Sequence, residues 1–207
     1  MISDTSIPGA FTFTPKLIGD ERGKFAEWFK ADAFTERVGH ALSLQQANFS
    51  ISSAGVIRGI HFADVPPGQA KYVMCPKGAV LDVIVDLRVG SPTFGHWDSI
   101  ILDDINRRCV YVAEGLGHAF MSMEDGSTVV YLCSAKYAPG REHGISPFDE
   151  DLGIQWPTIG RGGRELRHFL SDKDATAPRL ADALRGGWLP DYTKTARFVE
   201  SLGKRRD

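Results

Sequence analysis

The chain has 207 residues, of which 43% are hydrophobic and 24% charged, with a formal charge of -2 at pH 7. This balance suits one well-filled core and offers no basic surface for nucleic acid or for a membrane. No apolar run approaches the roughly 20 residues that span a bilayer, and no basic-then-apolar leader opens the chain. Cys75, Cys109 and Cys133 are odd in number and lie beside apolar neighbours. Together these features predict a single cytoplasmic domain over residues 1–207, with its cysteines as buried free thiols.

From Phe11 to Tyr137 short β-like runs alternate with turn residues at a spacing of roughly 8 to 12 residues, as in an antiparallel sandwich or barrel. Strands are predicted at 25–29, 44–50, 56–62, 71–75, 80–88, 97–102, 110–113 and 128–133. A helix is predicted over Ala31–Val38, stopped by Gly39, and another over 177–184, stopped by Gly186-Gly187. The stretch 193–207, ending Lys204-Arg205-Arg206-Asp207, reads as a partly frayed tail. In Val80-Leu81-Asp82-Val83-Ile84-Val85-Asp86-Leu87-Arg88 one face is uniformly apolar, whereas the other carries Asp82, Asp86 and Arg88 and is expected to look towards water or a cavity. Tyr131 sits opposite Val130 and Leu132 and is likewise a candidate to point into a lumen.

The chemistry-bearing residues gather in Arg58-Gly59-Ile60-His61-Phe62 and Gln69-Ala70-Lys71. Apolar strands bury such groups only with compensation. A histidine exchanges protons near neutral pH and a neighbouring cation stabilises an oxyanion, so the set points to proton transfer beside a carbonyl. Ideal alternation sends Arg58 and His61 to opposite faces, but Gly59 offers a bulge that would reunite them. Asp174 is a candidate carboxylate partner for His61, and equally an N-cap or first-turn residue ahead of the helix at 177–184. Lys71 reads as an enolate clamp or a solvated strand end, and Tyr131 as a general acid or a packing tyrosine. A metal in a small barrel commonly uses an H-x-H pair followed by a glutamate. His61-Phe62-Ala63 lacks the second histidine, no carboxylate follows at the expected offset, and His40, His96, His118, His143 and His168 are dispersed. No serine lies in a Gly-x-Ser-x-Gly elbow and no thiol has an obvious activating neighbour, which disfavours covalent catalysis.

A longer series of motifs, in order, is Gly19-Asp20-Glu21-Arg22-Gly23, Gln46-Ala47-Asn48, Arg58-Gly59-Ile60-His61-Phe62, Gln69-Ala70-Lys71, Gly90-Ser91-Pro92-Thr93-Phe94-Gly95, Gly117-His118-Ala119-Phe120, Leu152-Gly153-Ile154-Gln155-Trp156-Pro157 and Leu170-Ser171-Asp172-Lys173-Asp174. Over residues 5–190 the chain resembles the dTDP-4-dehydrorhamnose 3,5-epimerases. Trp188-Leu189-Pro190-Asp191-Tyr192 resembles the actinobacterial branch that makes unusual deoxysugars for antibiotics.

The resemblance implies an all-β cupin-type jelly roll with a few short peripheral helices. It also implies a homodimer whose N-terminal strands cross to the partner, a dTDP-4-keto-6-deoxyhexose substrate, and neither cofactor nor metal. Its base matches His61, the carboxylate partner Asp174, the enolate-stabilising lysine Lys71 and the acid Tyr131. Substrate-binding positions match Arg58, Gln46, Asn48, His118 and Glu142, with Tyr137 as an aromatic beside the site. Arg22 and Glu27 match residues that reach the nucleotide of the neighbouring subunit. The chain departs from many relatives at Ile18 and Lys24, near the nucleotide end. The implied activity is inversion of C3 and C5 of dTDP-4-keto-6-deoxy-D-glucose. The alternatives are inversion of one carbon only, a non-catalytic sugar-nucleotide-binding cupin, and a metal-dependent oxygenase.

Overall fold

Alternating side chains and frequent turns produce thirteen strands and four α-helices in the computed structural model, which describes residues 1–204. The strands are β1 Ile2–Asp4, β2 Ala10–Phe13, β3 Ile18–Asp20, β4 Gly23–Phe25, β5 Gln46–Ser52, β6 Ile57–Ala63, β7 Lys71–Lys77, β8 Ala79–Asp86, β9 Trp97–Asp103, β10 Cys109–Val112, β11 Leu116–Ser122, β12 Ser127–Cys133 and β13 Glu142–Gly144. The helices are α1 Ala31–Val38, α2 Asp172–Ala175, α3 Leu180–Arg185 and α4 Tyr192–Lys204.

A six-stranded sheet in the order β1-β2-β10-β7-β12-β5 faces a five-stranded sheet in the order β13-β6-β11-β8-β9. The antiparallel pairs are nested, β5 with β12, β6 with β11, β7 with β10 and β8 with β9, which is the winding of a jelly roll. Between the sheets lies one core cluster containing Tyr72, Val73, Val80, Ile84, Val110 and Val129. A second covers the outer face of the five-stranded sheet, where Ile60, Val83, Val85 and Met121 meet Leu152, Trp156, Leu166 and Leu180 from the C-terminal third. β8 is therefore buried on both faces. Asp86 and Arg88, expected on a wet face, are instead buried and hydrogen-bonded to each other at 2.8 and 2.7 Å.

Other expectations are corrected too. The strand at 25–29 shrinks to the end of the β3–β4 hairpin, because Trp28 and Phe29 leave the strand to pack on Tyr72. The helix at 177–184 starts only at Leu180, and α2 precedes it as a separate turn. The frayed tail is helix α4 as far as Lys204; residues 205–207 lie outside the described residues. Asp191 caps its start through the backbone N–H of Lys194 at 2.8 Å. Thr195, Phe198, Val199 and Leu202 are partly or fully covered and fall at helical spacing. The three cysteines are buried free thiols, as expected.

Strand β11 was not anticipated because Gly115 and Gly117 look like a turn. All seven of its residues are buried. Gly117 is there because a Cβ would come within 2.7 Å of both Ile60 and Leu87. Among the described residues no helix is long and apolar enough to cross a membrane.

Candidate active site

Two residues of β6, Gly59 and Ile60, oppose the single Ala119 of β11, since His118 pairs with His61 but Phe120 pairs with Arg58. The bulge falls at Gly59, whose φ of 114° lies where side-chain-bearing residues are strained and where a Cβ would sit 2.5 Å from the His118 carbonyl oxygen. Because of this extra residue, Arg58 and His61 turn to the same side, as anticipated. They share a cavity of about 420 Å³ with Lys71 at the start of β7, His118 on β11, Tyr131 on β12, and Lys173 and Asp174 on α2.

His61 Nε2 lies 2.6 Å from Asp174 Oδ1. An ionised carboxylate only accepts, so Nε2–H donates and Nδ1 keeps the free lone pair of the neutral ring. Burial pushes the Asp174 carboxyl up, but hydrogen bonds from His61, Ser171 and the Gly59 backbone outweigh it and leave the group below its usual range. Ser171, not Asp174, is the N-cap of α2, and its hydroxyl receives the Asp174 N–H at 3.2 Å. Asp174 is thus a first-turn residue whose side chain is directed to His61.

A second pair stands deeper, where His118 Nε2 lies 2.8 Å from Asp82 Oδ2 and Asp82 is fully buried. Burial raises the Asp82 carboxyl, with His118 and Lys71 working against the shift. Burial also lowers the Lys71 ammonium below the ordinary lysine value, opposed by the nearby Cys133, Glu142 and Asp82. Tyr131 is raised, chiefly by burial, while Arg58 and a hydrogen bond with Asn48 pull it back.

Gln46, Asn48, Tyr137 and Glu142 are not among the residues that line this cavity; Asn48 on β5 pairs with Tyr131 across the strands, Gln46 Nε2 donates to Asn48 Oδ1 at 2.8 Å and Tyr137 N donates to Gln46 Oε1 at 2.9 Å. Glu142 Oε1 accepts from the Ala138 backbone at 3.3 Å, and its charge acts on Lys71 and Tyr131. Arg22 and Glu27 stay outside this cavity. Arg22 binds Asp20 at the tip of the exposed hairpin, and Glu27 meets Lys30 at 3.4 Å. Sequence reasoning missed Lys173 and Phe169 as lining residues. The Lys173-Asp174 adjacency was the available signal, since a first-turn aspartate bound to His61 brings its neighbour to the same rim. Among the described residues no three His, Cys, Asp or Glu side chains gather as metal ligands do.

The fold and the site define a jelly-roll barrel whose cavity brings a histidine–carboxylate pair together with a half-buried lysine and a half-buried tyrosine. The family model for dTDP-4-dehydrorhamnose 3,5-epimerase matches residues 4–182, and the chain belongs to that family. It is a carbohydrate epimerase. A dTDP-4-dehydrorhamnose 3,5-epimerase of Mycolicibacterium smegmatis is 55% identical over 199 residues, covering 96% of this chain and 95% of the relative. The Mycobacterium tuberculosis rmlC epimerase superposes with a TM-score of 0.92 at 48% identity, over 98% and 99% of the two chains. A structure of ChmJ, a 3'-monoepimerase from Streptomyces bikiniensis in complex with dTDP-quinovose, superposes with a TM-score of 0.92 at 44% identity, over 97% and 98%.

Proposed function

We propose that this single-domain chain epimerises dTDP-4-keto-6-deoxy-D-glucose at C3 and C5, with His61 as base, Lys71 as enolate clamp and Tyr131 as acid. The observation that carries the reading is the 2.6 Å His61–Asp174 pair in one cavity with Lys71 and Tyr131. The C4 ketone acidifies the hydrogens on C3 and C5, but each pKa unit of mismatch with an imidazolium still costs about 1.4 kcal/mol. His61 Nδ1 takes the proton while Asp174 stabilises the resulting imidazolium. The Lys71 ammonium, in a water-poor setting, holds the enolate oxygen and closes much of the mismatch. Tyr131 returns a proton from the opposite face and inverts the carbon.

Arg58 and Lys173 supply the positive charge for a diphosphate, Arg58 as a fork that donates twice. Gln46, Asn48, His118, Tyr137 and Glu142 hold the sugar and its immediate surroundings. The dTDP-quinovose bound to ChmJ supports a dTDP-sugar here, and ChmJ being a 3'-monoepimerase keeps single inversion as the second reading.

We further propose a homodimer in which Arg22 and Glu27 serve the neighbouring site. Support comes from β5, an open sheet edge that exposes Phe49 and Ile51, and from the hairpin's exposed Ile18 and Phe25. The free buried thiols support a reducing cytoplasm. Incubation of the substrate in D2O tests the activity. Deuterium at C3 and C5 is expected, label at C3 alone selects single inversion, and no label at either carbon refutes the proposal.

A further inference from the structure

Asp174 is carried by α2, a helix of four residues, too short to keep its shape through its own hydrogen bonds. The segment is tied down on its entry side, where the Phe169 N–H donates to the Gly55 carbonyl at 3.0 Å and the Phe169 carbonyl accepts the Ile57 N–H at 2.9 Å. On its exit side the Pro178 carbonyl accepts the Ser146 N–H at 2.9 Å. Between these anchors Ser171 closes the turn twice: its carbonyl accepts the Ala175 N–H at 2.8 Å, and its hydroxyl accepts the Asp174 N–H at 3.2 Å. A hydroxyl that accepts one hydrogen bond still has its own hydrogen to donate, and here it serves the Asp174 carboxylate. Burial raises that carboxyl, but the hydrogen bonds from His61, Ser171 and the Gly59 backbone more than reverse the rise. Ser171 therefore holds Asp174 at both its backbone and its side chain, whose Oδ1 faces His61 Nε2 at 2.6 Å.

We propose that Ser171 is a positioning residue of the proton-transfer centre, acting through Asp174 by fixing the carboxylate in the orientation that holds the His61 ring and stabilises its imidazolium. The proposal rests on the reading of His61 as the base. The terminal torsion of an aspartate is broad, so a single bond to His61 would leave the carboxylate free to swing. Donors from Ser171 and from the Gly59 bulge come from two different elements, α2 and β6, and together with His61 they select one orientation. Ser171 is exposed at the rim, where water competes for its hydroxyl and keeps the effect moderate. It also lines the cavity, so direct contact with substrate is the rival role, and the two roles separate kinetically.

The experiment is deuterium wash-in at C3 and C5 by variants of the full chain, with kcat and KM measured separately. Ser171→Ala should lower kcat about five- to tenfold and leave KM within about twofold, because the imidazolium forms only as the proton moves. Ser171→Gly removes the same hydroxyl while glycine remains an acceptable N-cap, so it should show the same loss and covers the case in which Ser171→Ala does not fold. Ser171→Thr keeps the hydroxyl and should return kcat to within about threefold of the unaltered protein. In an Asp174→Asn background, removing the hydroxyl should cost less than about twofold, because the charge it orients is gone. An equal loss in both backgrounds, a change confined to KM, a Ser171→Thr as slow as Ser171→Ala, or a kcat in Ser171→Gly within about twofold of the unaltered protein would each overturn the proposal. Absence of wash-in by the unaltered protein would instead overturn the epimerase reading itself, and full wash-in by Asp174→Asn its His61–Asp174 pair.

Discussion

Replacing Asp174 with asparagine keeps the size of the side chain and removes the charge that faces His61 at 2.6 Å. Unit charges about 4 Å apart attract by about 4 kcal/mol at an effective permittivity near 20 and by about 1 kcal/mol in water. The Asp174 side chain is only 7% exposed, but that of His61 is 36% exposed, so solvent screens part of the attraction. An intermediate value of about 2–3 kcal/mol is therefore lost when imidazolium forms in Asp174→Asn, slowing proton abstraction by roughly 30- to 150-fold. The asparagine amide can also present its NH2 group to Nε2 and favour the tautomer in which Nδ1 carries the hydrogen, which adds to the loss. The assay is the initial rate of deuterium wash-in at C3 and C5, followed by proton NMR with substrate saturating. Wash-in within about threefold of the unaltered protein, an effect below about 0.7 kcal/mol, would refute the role of the Asp174 charge.

Four further outcomes are expected. Asp174 sits below its usual pKa, so its contribution to stability is full above the unfolded value near pH 4 and is lost as pH falls through the lower folded value; thermal unfolding across that range should show a shallower acid loss in Asp174→Asn. Lys71 is lowered by burial, so its ammonium should deprotonate below the ordinary lysine range and activity should fall on that alkaline limb, while Lys71→Met folds with equal or higher Tm but loses most wash-in. Gly59→Ala drives a Cβ to 2.5 Å from the His118 carbonyl oxygen at a φ of 114°, and should cost about 2–4 kcal/mol in denaturant unfolding. Phe49→Glu places a charge on the exposed open edge and should convert dimer to monomer in light scattering, with folding retained.

That the chain is built of short antiparallel strands was legible in its spaced β-like runs, Lys71–Lys77 and Ser127–Cys133 among them, whereas the jelly-roll winding was implied only by the family resemblance. Strand β11 was hidden because every residue is buried, which erases alternation, and because its glycines serve close packing against Ile60 and Leu87 rather than a turn. Helix α4 was hidden by its polar composition, although Thr195, Phe198, Val199 and Leu202 keep helical spacing. The grouping of Arg58 with His61 was readable only as a possibility carried by Gly59, since a bulge depends on the pairing of β6 with β11 and not on β6 alone. Lys173 needed the tertiary fact that α2 packs on β6.

His61 and His118 line one cavity, each paired with an aspartate, and their surroundings separate what the two pairs can do. Asp174 is stabilised as an anion by its hydrogen bonds, and the half-open His61 can exchange its proton with solvent between turnovers. Asp82 is fully buried and raised by that burial, with one oxygen left unpartnered. His118 is correspondingly closed off at 8% exposed. A pair that cannot refresh its proton is poorly suited to act as the base, but it can fix an imidazole in one orientation as a donor to a substrate oxygen. Its carboxylate also joins Cys133 and Glu142 in opposing the lowering of Lys71 by burial. Under the proposed mechanism depth separates the two pairs: the shallow one is suited to moving protons, and the deep one to holding an imidazole in place beside Lys71.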